Sequence, residues 1–182
     1  MITSKMTLED TLIIEGKIYK GHRNFLRITE TDILWAYVKR LRLTEYYINT
    51  GHKYLGKLSK LFLHRMQCRY GLHIPANTCD VGLSIAHLGP IIINSNARIG
   101  KNARIHVGVN IGDNGGGSVP KIGDNVYIGP GAKIFGDIEI ADDVSIGANA
   151  VVNKSCNQKN TLLVGVPAIE KHKSKEKHNE RD

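Results

Sequence analysis

The sequence predicts a mainly β protein, a left-handed parallel β-helix of six-residue repeats preceded by a short α-helical N-terminal region, and three observations carry that expectation. Isoleucine or valine recurs at Ile99, Ile105, Ile111, Ile122, Ile128, Ile134, Ile140, Ile146 and Val152, six apart except at one interruption. Four positions after most of these stands another apolar or small residue: Ala103, Val109, Val126, Ala132, Ile138, Val144, Ala150 and Cys156. Gly, Asn and Asp fill the intervals, where corners of positive φ would need them. An amphipathic helix requires a period of 3.6 and a half-buried strand a period of 2, and neither fits. A fixed short period is the mark of a solenoid. If each hexad is one flat side of a triangular coil, about eighteen residues complete a turn, and coils stack about 4.8 Å apart with their backbone groups paired.

Along the chain, residues 1–70 form the helical region. Thr31 and Asp32 read as an N-cap, Ile33, Leu34, Tyr37, Val38, Leu41, Leu55, Leu58 and Phe62 recur at helical spacing, and Gly51 separates two helices. Residues 71–169 form the β-helix. Its first hexads sit at Cys79, Ile85 and Ile91, with two extra residues before Ile99. Between Ile111 and Ile122 the segment GDNGGGSVPK exceeds one hexad and should leave the prism as a flexible loop. Residues 170–182 are charged and apolar-poor and read as a flexible tail.

At 182 residues and 41% apolar, the chain suits one domain with a packed core. Cys68, Cys79 and Cys156 show no metal spacing, and an odd count points to free thiols in a reducing compartment. The start MITSKMTLEDTLIIEG fits neither a signal peptide nor a membrane span, so a cytoplasmic location is expected. The formal charge of +8 is uneven: residues 17–69 hold twelve Lys/Arg against Glu30, Asp32 and Glu45. Such a patch is either a solvated helical face or a surface for an anionic partner. Nucleic acid is not expected, whereas peripheral association with an anionic membrane surface through the basic helices is.

The hexads, the segments Ile128-Gly129-Pro130-Gly131-Ala132-Lys133 and Ile146-Gly147-Ala148-Asn149-Ala150, and the closing Gly165-Val166-Pro167-Ala168 together resemble the hexapeptide-repeat acyltransferases, in particular the serine acetyltransferase-like branch. The likeness covers about residues 70–170. It implies a homotrimer, possible pairing of two trimers, and acetyl-CoA as donor in the groove between adjacent prisms. His87, within Ile85-Ala86-His87-Leu88-Gly89-Pro90-Ile91, matches the family's catalytic histidine. An imidazole can take the proton of an acceptor hydroxyl as it attacks the thioester. The resemblance further implies an oxyanion donor near Gly112 and a pantetheine arm lying along Gly129, Gly131, Ala132, Gly147 and Ala148, with Lys171 near the nucleotide phosphates. Asp80 and His106 are acceptor-side candidates, and either Asp80 or a backbone carbonyl would orient His87. His106 is otherwise an ordinary surface histidine by its hexad position.

Departures from the pattern bear on the acceptor. Where serine acetyltransferases carry Asp fifteen residues before the histidine, Asp immediately before it, and an Arg-His-Pro-Lys run, this chain has Leu72, Ala86 and Ser118-Val119-Pro120-Lys121. That favours a sugar hydroxyl of a surface or capsular polysaccharide, with serine as the alternative acceptor. No metal is expected. A γ-carbonic-anhydrase-like zinc site needs three histidines, and only His87 and His106 lie on the coils. A non-catalytic β-helix scaffold is the remaining alternative.

Overall fold

A computed structural model describes residues 2–19 and 29–172. Three helices come first: α1 (Lys5–Ile18), α2 (Glu30–Asn49) and α3 (Lys53–Tyr70). Thr29, rather than Thr31 or Asp32, caps α2. Its hydroxyl accepts from the Asp32 N–H at 3.2 Å, while the Asp32 carboxylate accepts from the Thr29 N–H, so Asp32 is the third-position half of a capping box. Gly51, at φ +76°, makes the turn between α2 and α3 as expected.

Tyr70 ends α3 and the coils begin at once. The strands are β1 (Leu72–His73), β2 (Ser84–Ile85), β3 (Ile91–Ile93), β4 (Arg98–Ile99), β5 (Arg104–Ile105), β6 (Asn110–Gly112), β7 (Lys121–Ile122), β8 (Tyr127–Ile128), β9 (Lys133–Phe135), β10 (Glu139–Ile140), β11 (Ser145–Ile146), β12 (Val151–Val152), β13 (Thr161–Val164) and β14 (Ile169–His172). They form the three faces of a left-handed parallel β-helix. Face A stacks β1-β3-β6-β9-β12, face B stacks β4-β7-β10, and face C stacks β2-β5-β8-β11-β13-β14.

The registers express the hexad arithmetic. Ile122 pairs with Ile140, Ile128 with Ile146 and Ile134 with Val152, each one full coil apart. The pairings Ile99 with Ile122 and Ile111 with Ile134 span five more residues, because the glycine-rich loop leaves the prism between β6 and β7. Every repeating aliphatic from Ile99 to Val152 is buried, and so is each of its small partners. Corners at Asn102, Asn125, Asp143 and Asn149 have positive φ, which short polar side chains tolerate better than other non-glycine residues. Cys68, Cys79 and Cys156 are free thiols, the last two buried.

A buried ionic clasp ties the helices to the first coil. Arg42, counted in the sequence among the basic surface residues, is 2% exposed and donates to Glu15, Glu45 and the carbonyls of Cys79 and Asp80. Glu15 also accepts the N–H groups of Gly82 and Leu83, and Glu45 that of Asn77. Burial of such a set is tolerable only because every charge is paired and hydrogen-bonded. Nearby, the Tyr37 hydroxyl donates to the Leu72 carbonyl at 2.7 Å, and the Tyr19 hydroxyl accepts from the Ile85 N–H.

At the far end, β14 runs antiparallel to β13. The chain therefore stays in a sheet through His172, two residues beyond where a tail was expected to begin. Residues 173–182 of the expected tail, and Lys20, Arg23 and Arg27 of the basic stretch, lie outside the described residues.

Candidate functional site

The corner between faces C and A carries the chemistry-bearing residues. Because Ile85, Ile105, Ile128 and Ile146 are in register, the residues after them stack: Ala86, His106, Gly129 and Gly147, then His87, Val107, Pro130 and Ala148. His87 is exposed at the top of this ridge. Its ring centroid lies 6.3 Å from that of His106, which in turn lies 5.0 Å from that of Tyr127.

The partner of His87 comes from α2. The imidazole Nδ1 lies 3.3 Å from Glu30 Oε2, and Glu30 Oε1 accepts the Leu88 N–H at 2.6 Å. These contacts, the Leu88 N–H first and the His87 ring next, hold the Glu30 carboxyl below its ordinary titration range. Asp80 stands at the corner before β2, whereas His87 stands at the corner after it, and the Asp80 Oδ1 accepts the Val81 N–H. Leu72, at the aspartate position of the resembling enzymes, is fully buried in the core. No feature of the sequence marked Glu30, which lies 57 positions upstream of His87.

His106 is half-buried rather than an ordinary surface histidine. Its Nε2 is buried with no hydrogen-bond partner among the described residues. Burial, then the Arg104 guanidinium and His87, lower its pKa, which favours the neutral ring. The cofactor candidates divide. Gly129, Gly131, Gly147 and Ala148 share the ridge below His87, Ala132 points into the prism, and Lys171 is exposed on β14 opposite Leu162. At Gly129 an added Cβ would come within 2.8 Å of backbone atoms of the next coil, so stacking requires glycine there, whereas at Gly131, with φ +74°, it would meet the Asn149 side chain and at Gly147 the Val164 side chain at 2.8 Å. Gly112 differs: it lies in β6 opposite Phe135, an added Cβ would meet nothing nearer than Asn110 Oδ1 at 3.8 Å, and its φ is not positive. It sits with the glycine-rich loop at the other edge of face A, away from His87.

A cleft of about 710 Å³ between α1 and face B, lined by Arg42, Asp80, Arg98, Lys121 and Glu139, does not include His87. No group of three or more metal-ligating side chains occurs among the described residues. Nor is any helix among them long and apolar enough to cross a membrane.

Comparison with known proteins points one way. Residues 120–154 match the bacterial transferase hexapeptide (six repeats) family, and residues 90–115 match the hexapeptide repeat of succinyl-transferase. A serine acetyltransferase of Mycobacterium tuberculosis is 34% identical over 129 residues, which are 69% of this chain and 55% of that protein. The chain thus spans little more than half the length of that relative. Among solved structures, the serine acetyltransferase of Neisseria gonorrhoeae in complex with serine superposes with a TM-score of 0.69 at 26% identity, over 92% of this chain and 70% of that one. A serine acetyltransferase in complex with CoA gives 0.73 at 24% identity, over 91% and 70%.

Proposed function

The chain belongs to the hexapeptide-repeat transferases, in their serine acetyltransferase-like branch, and on that premise we propose that it is an acetyl-CoA-dependent O-acetyltransferase with His87 as its base. The observation that carries the proposal is an exposed imidazole on a coil corner, backed by a carboxylate and standing over a ridge of small residues. In the reaction His87 accepts the hydroxyl proton as the acceptor oxygen bonds to the thioester carbonyl carbon. The tetrahedral intermediate then expels the CoA thiolate, which takes the proton back from the imidazolium. Acetyl-CoA fits the chemistry of the site as donor, with its pantetheine along Gly129, Gly131, Gly147 and Ala148. The open approach at Gly112 belongs to the second wall of the cleft, which a neighbouring prism of a homotrimer would supply.

For the acceptor, the names of the relatives favour L-serine over the sugar hydroxyl suggested by the residues near His87. The sugar reading rests on Leu72, which is core, on Ala86, which offers no polar group beside the base, and on Ser118-Val119-Pro120-Lys121 at the end of the glycine-rich loop. Thiol release from acetyl-CoA, measured with L-serine and with a panel of sugars and oligosaccharides, decides between them. O-acetylserine formation supports the first acceptor, and acetylation of a sugar alone supports the second. No release with any hydroxyl acceptor would overturn the transferase reading.

We also propose that α3 meets an anionic bilayer surface. Only Gly56, Ser59 and Leu63 of this helix are buried, packing it on α2. Tyr54, Leu55, Leu58, Leu61 and Phe62 are exposed at spacings of three and four, flanked by Lys53, Lys57, Lys60, Arg65 and Arg69, with no acidic residue in the helix. An apolar stripe bordered by cations suits an anionic interface, whereas a second copy would set like charges together.

A further inference from the structure

We infer that Glu30 is a positioning residue for His87, fixing the ring in the tautomer that leaves Nε2 free to accept the hydroxyl proton. The inference rests on the reading of His87 as base. An ionised carboxylate can only accept hydrogen bonds, so the ring nitrogen facing it, Nδ1, must carry the hydrogen and Nε2 must carry the lone pair. The carboxylate is itself fixed. Its second oxygen accepts the Leu88 N–H from the loop that holds His87, and Glu30 is the first residue of α2, where the helix dipole favours negative charge. The Thr29 cap defines that end of the helix, and the Arg42 clasp anchors its other half to Cys79 and Asp80. Side chain and base are thus held to the same coil through two separate attachments. The other group facing the ring is His106 on the coil below, with Arg104 beyond it.

Glu30→Gln separates this role from a purely structural one. To keep the Leu88 N–H bond, the carboxamide must use its only oxygen there and turn its NH₂ toward Nδ1. That arrangement calls for a lone pair on Nδ1 and moves the hydrogen to Nε2. Because the Glu30 side chain is 44% exposed, the substitution leaves the core untouched. The measurement is nitrogen-15 NMR of the full chain labelled at histidine, across pH, beside steady-state kinetics. Wild type should show the Nδ1–H form of neutral His87. Glu30→Gln should shift the ring toward Nε2–H and cut kcat by about tenfold with KM for acetyl-CoA unchanged. Glu30→Asp, which keeps an acceptor one carbon shorter, should restore part of the Nδ1–H population. Unchanged tautomer and kcat in Glu30→Gln would overturn the inference while leaving His87 as base. Full turnover by His87→Ala would instead overturn the base reading, and the tautomer shift would still decide whether Glu30 holds the ring.

Discussion

His87 and His106 occupy successive coils of one corner, yet their surroundings assign them different chemistry. His87 is exposed and backed by a carboxylate, whereas His106 is half-buried against Tyr127, its Nε2 without a hydrogen-bond partner among the described residues. A base must meet both acceptor and thioester, so His87→Ala should lower turnover by about 10²- to 10⁴-fold. Its thermal unfolding temperature and its acetyl-CoA binding by calorimetry should stay near wild type, because truncating an exposed ring opens no cavity. His106→Ala is the paired comparison and should cost at most about tenfold in kcat, since its ring has no carboxylate partner among the described residues. The reverse pattern would transfer the base to His106. His87 was singled out in the sequence through the resemblance, because the run from Ile85 to Ile91 matches the family's histidine motif. Glu30 was not legible, because a contact between a helix N-terminus and a coil corner 57 residues away leaves no periodic trace. The glycines were legible as corner residues, but only the geometry separates Gly112, where a side chain would find room, from Gly129, which coil packing requires.

At the scale of elements, hexad period translated directly into structure, because inward pointing is a property of position within each coil and needs no distant partner. Helix packing was less legible: Leu55, Leu58 and Phe62 share a helical spacing with core residues but face outward, because α3 packs on α2 through Gly56, Ser59 and Leu63. Charge was least legible. Arg42 looks like any member of the basic run, yet it holds Glu15 and Glu45 in the interior. Arg42→Ala would leave two buried carboxylates without their cation and should cost about 3–5 kcal/mol in denaturant unfolding. Adding Glu15→Gln and Glu45→Gln to it should recover part of that loss, because no charge then remains to be buried. The exposed cations of α3 behave differently. Full-length protein should co-sediment with vesicles containing phosphatidylglycerol but not with pure phosphatidylcholine, and the binding should weaken as salt screens it. Reversing Lys57 and Lys60 to Glu should reduce it by at least about tenfold, on the order of 1 kcal/mol per charge near the surface. Equal sedimentation of that double variant would show that the helix face does not carry the interaction.

For the whole molecule, the placement of the candidate residues on the prism is the ground for expecting a site shared between chains. His87, His106 and the small-residue ridge occupy the corner between faces C and A, while Gly112 and the glycine-rich loop occupy the corner between faces A and B. Within one chain the intervening face A keeps these corners apart, and His87, Pro130 and Ala148 stand exposed along the ridge while Gly129 is buried. A closed threefold ring of prisms can oppose one corner of each chain to the other corner of its neighbour and so form three identical clefts, whereas a twofold pair would leave its contact isologous. We therefore expect a homotrimer near three times the 20.1 kDa chain mass by multi-angle light scattering. Acetyl-CoA should bind with a stoichiometry of one per chain, and dilution that dissociates the ring should abolish turnover along with binding. Mixing His87→Ala chains with chains carrying a deleted glycine-rich loop supplies the sharper measurement. Each variant alone should be inactive, but in mixed rings some clefts pair an intact histidine corner with an intact loop corner, so part of the activity should return. Absence of any recovery in rings shown to be mixed, or full activity in a stable monomer, would mean that each chain completes its own site.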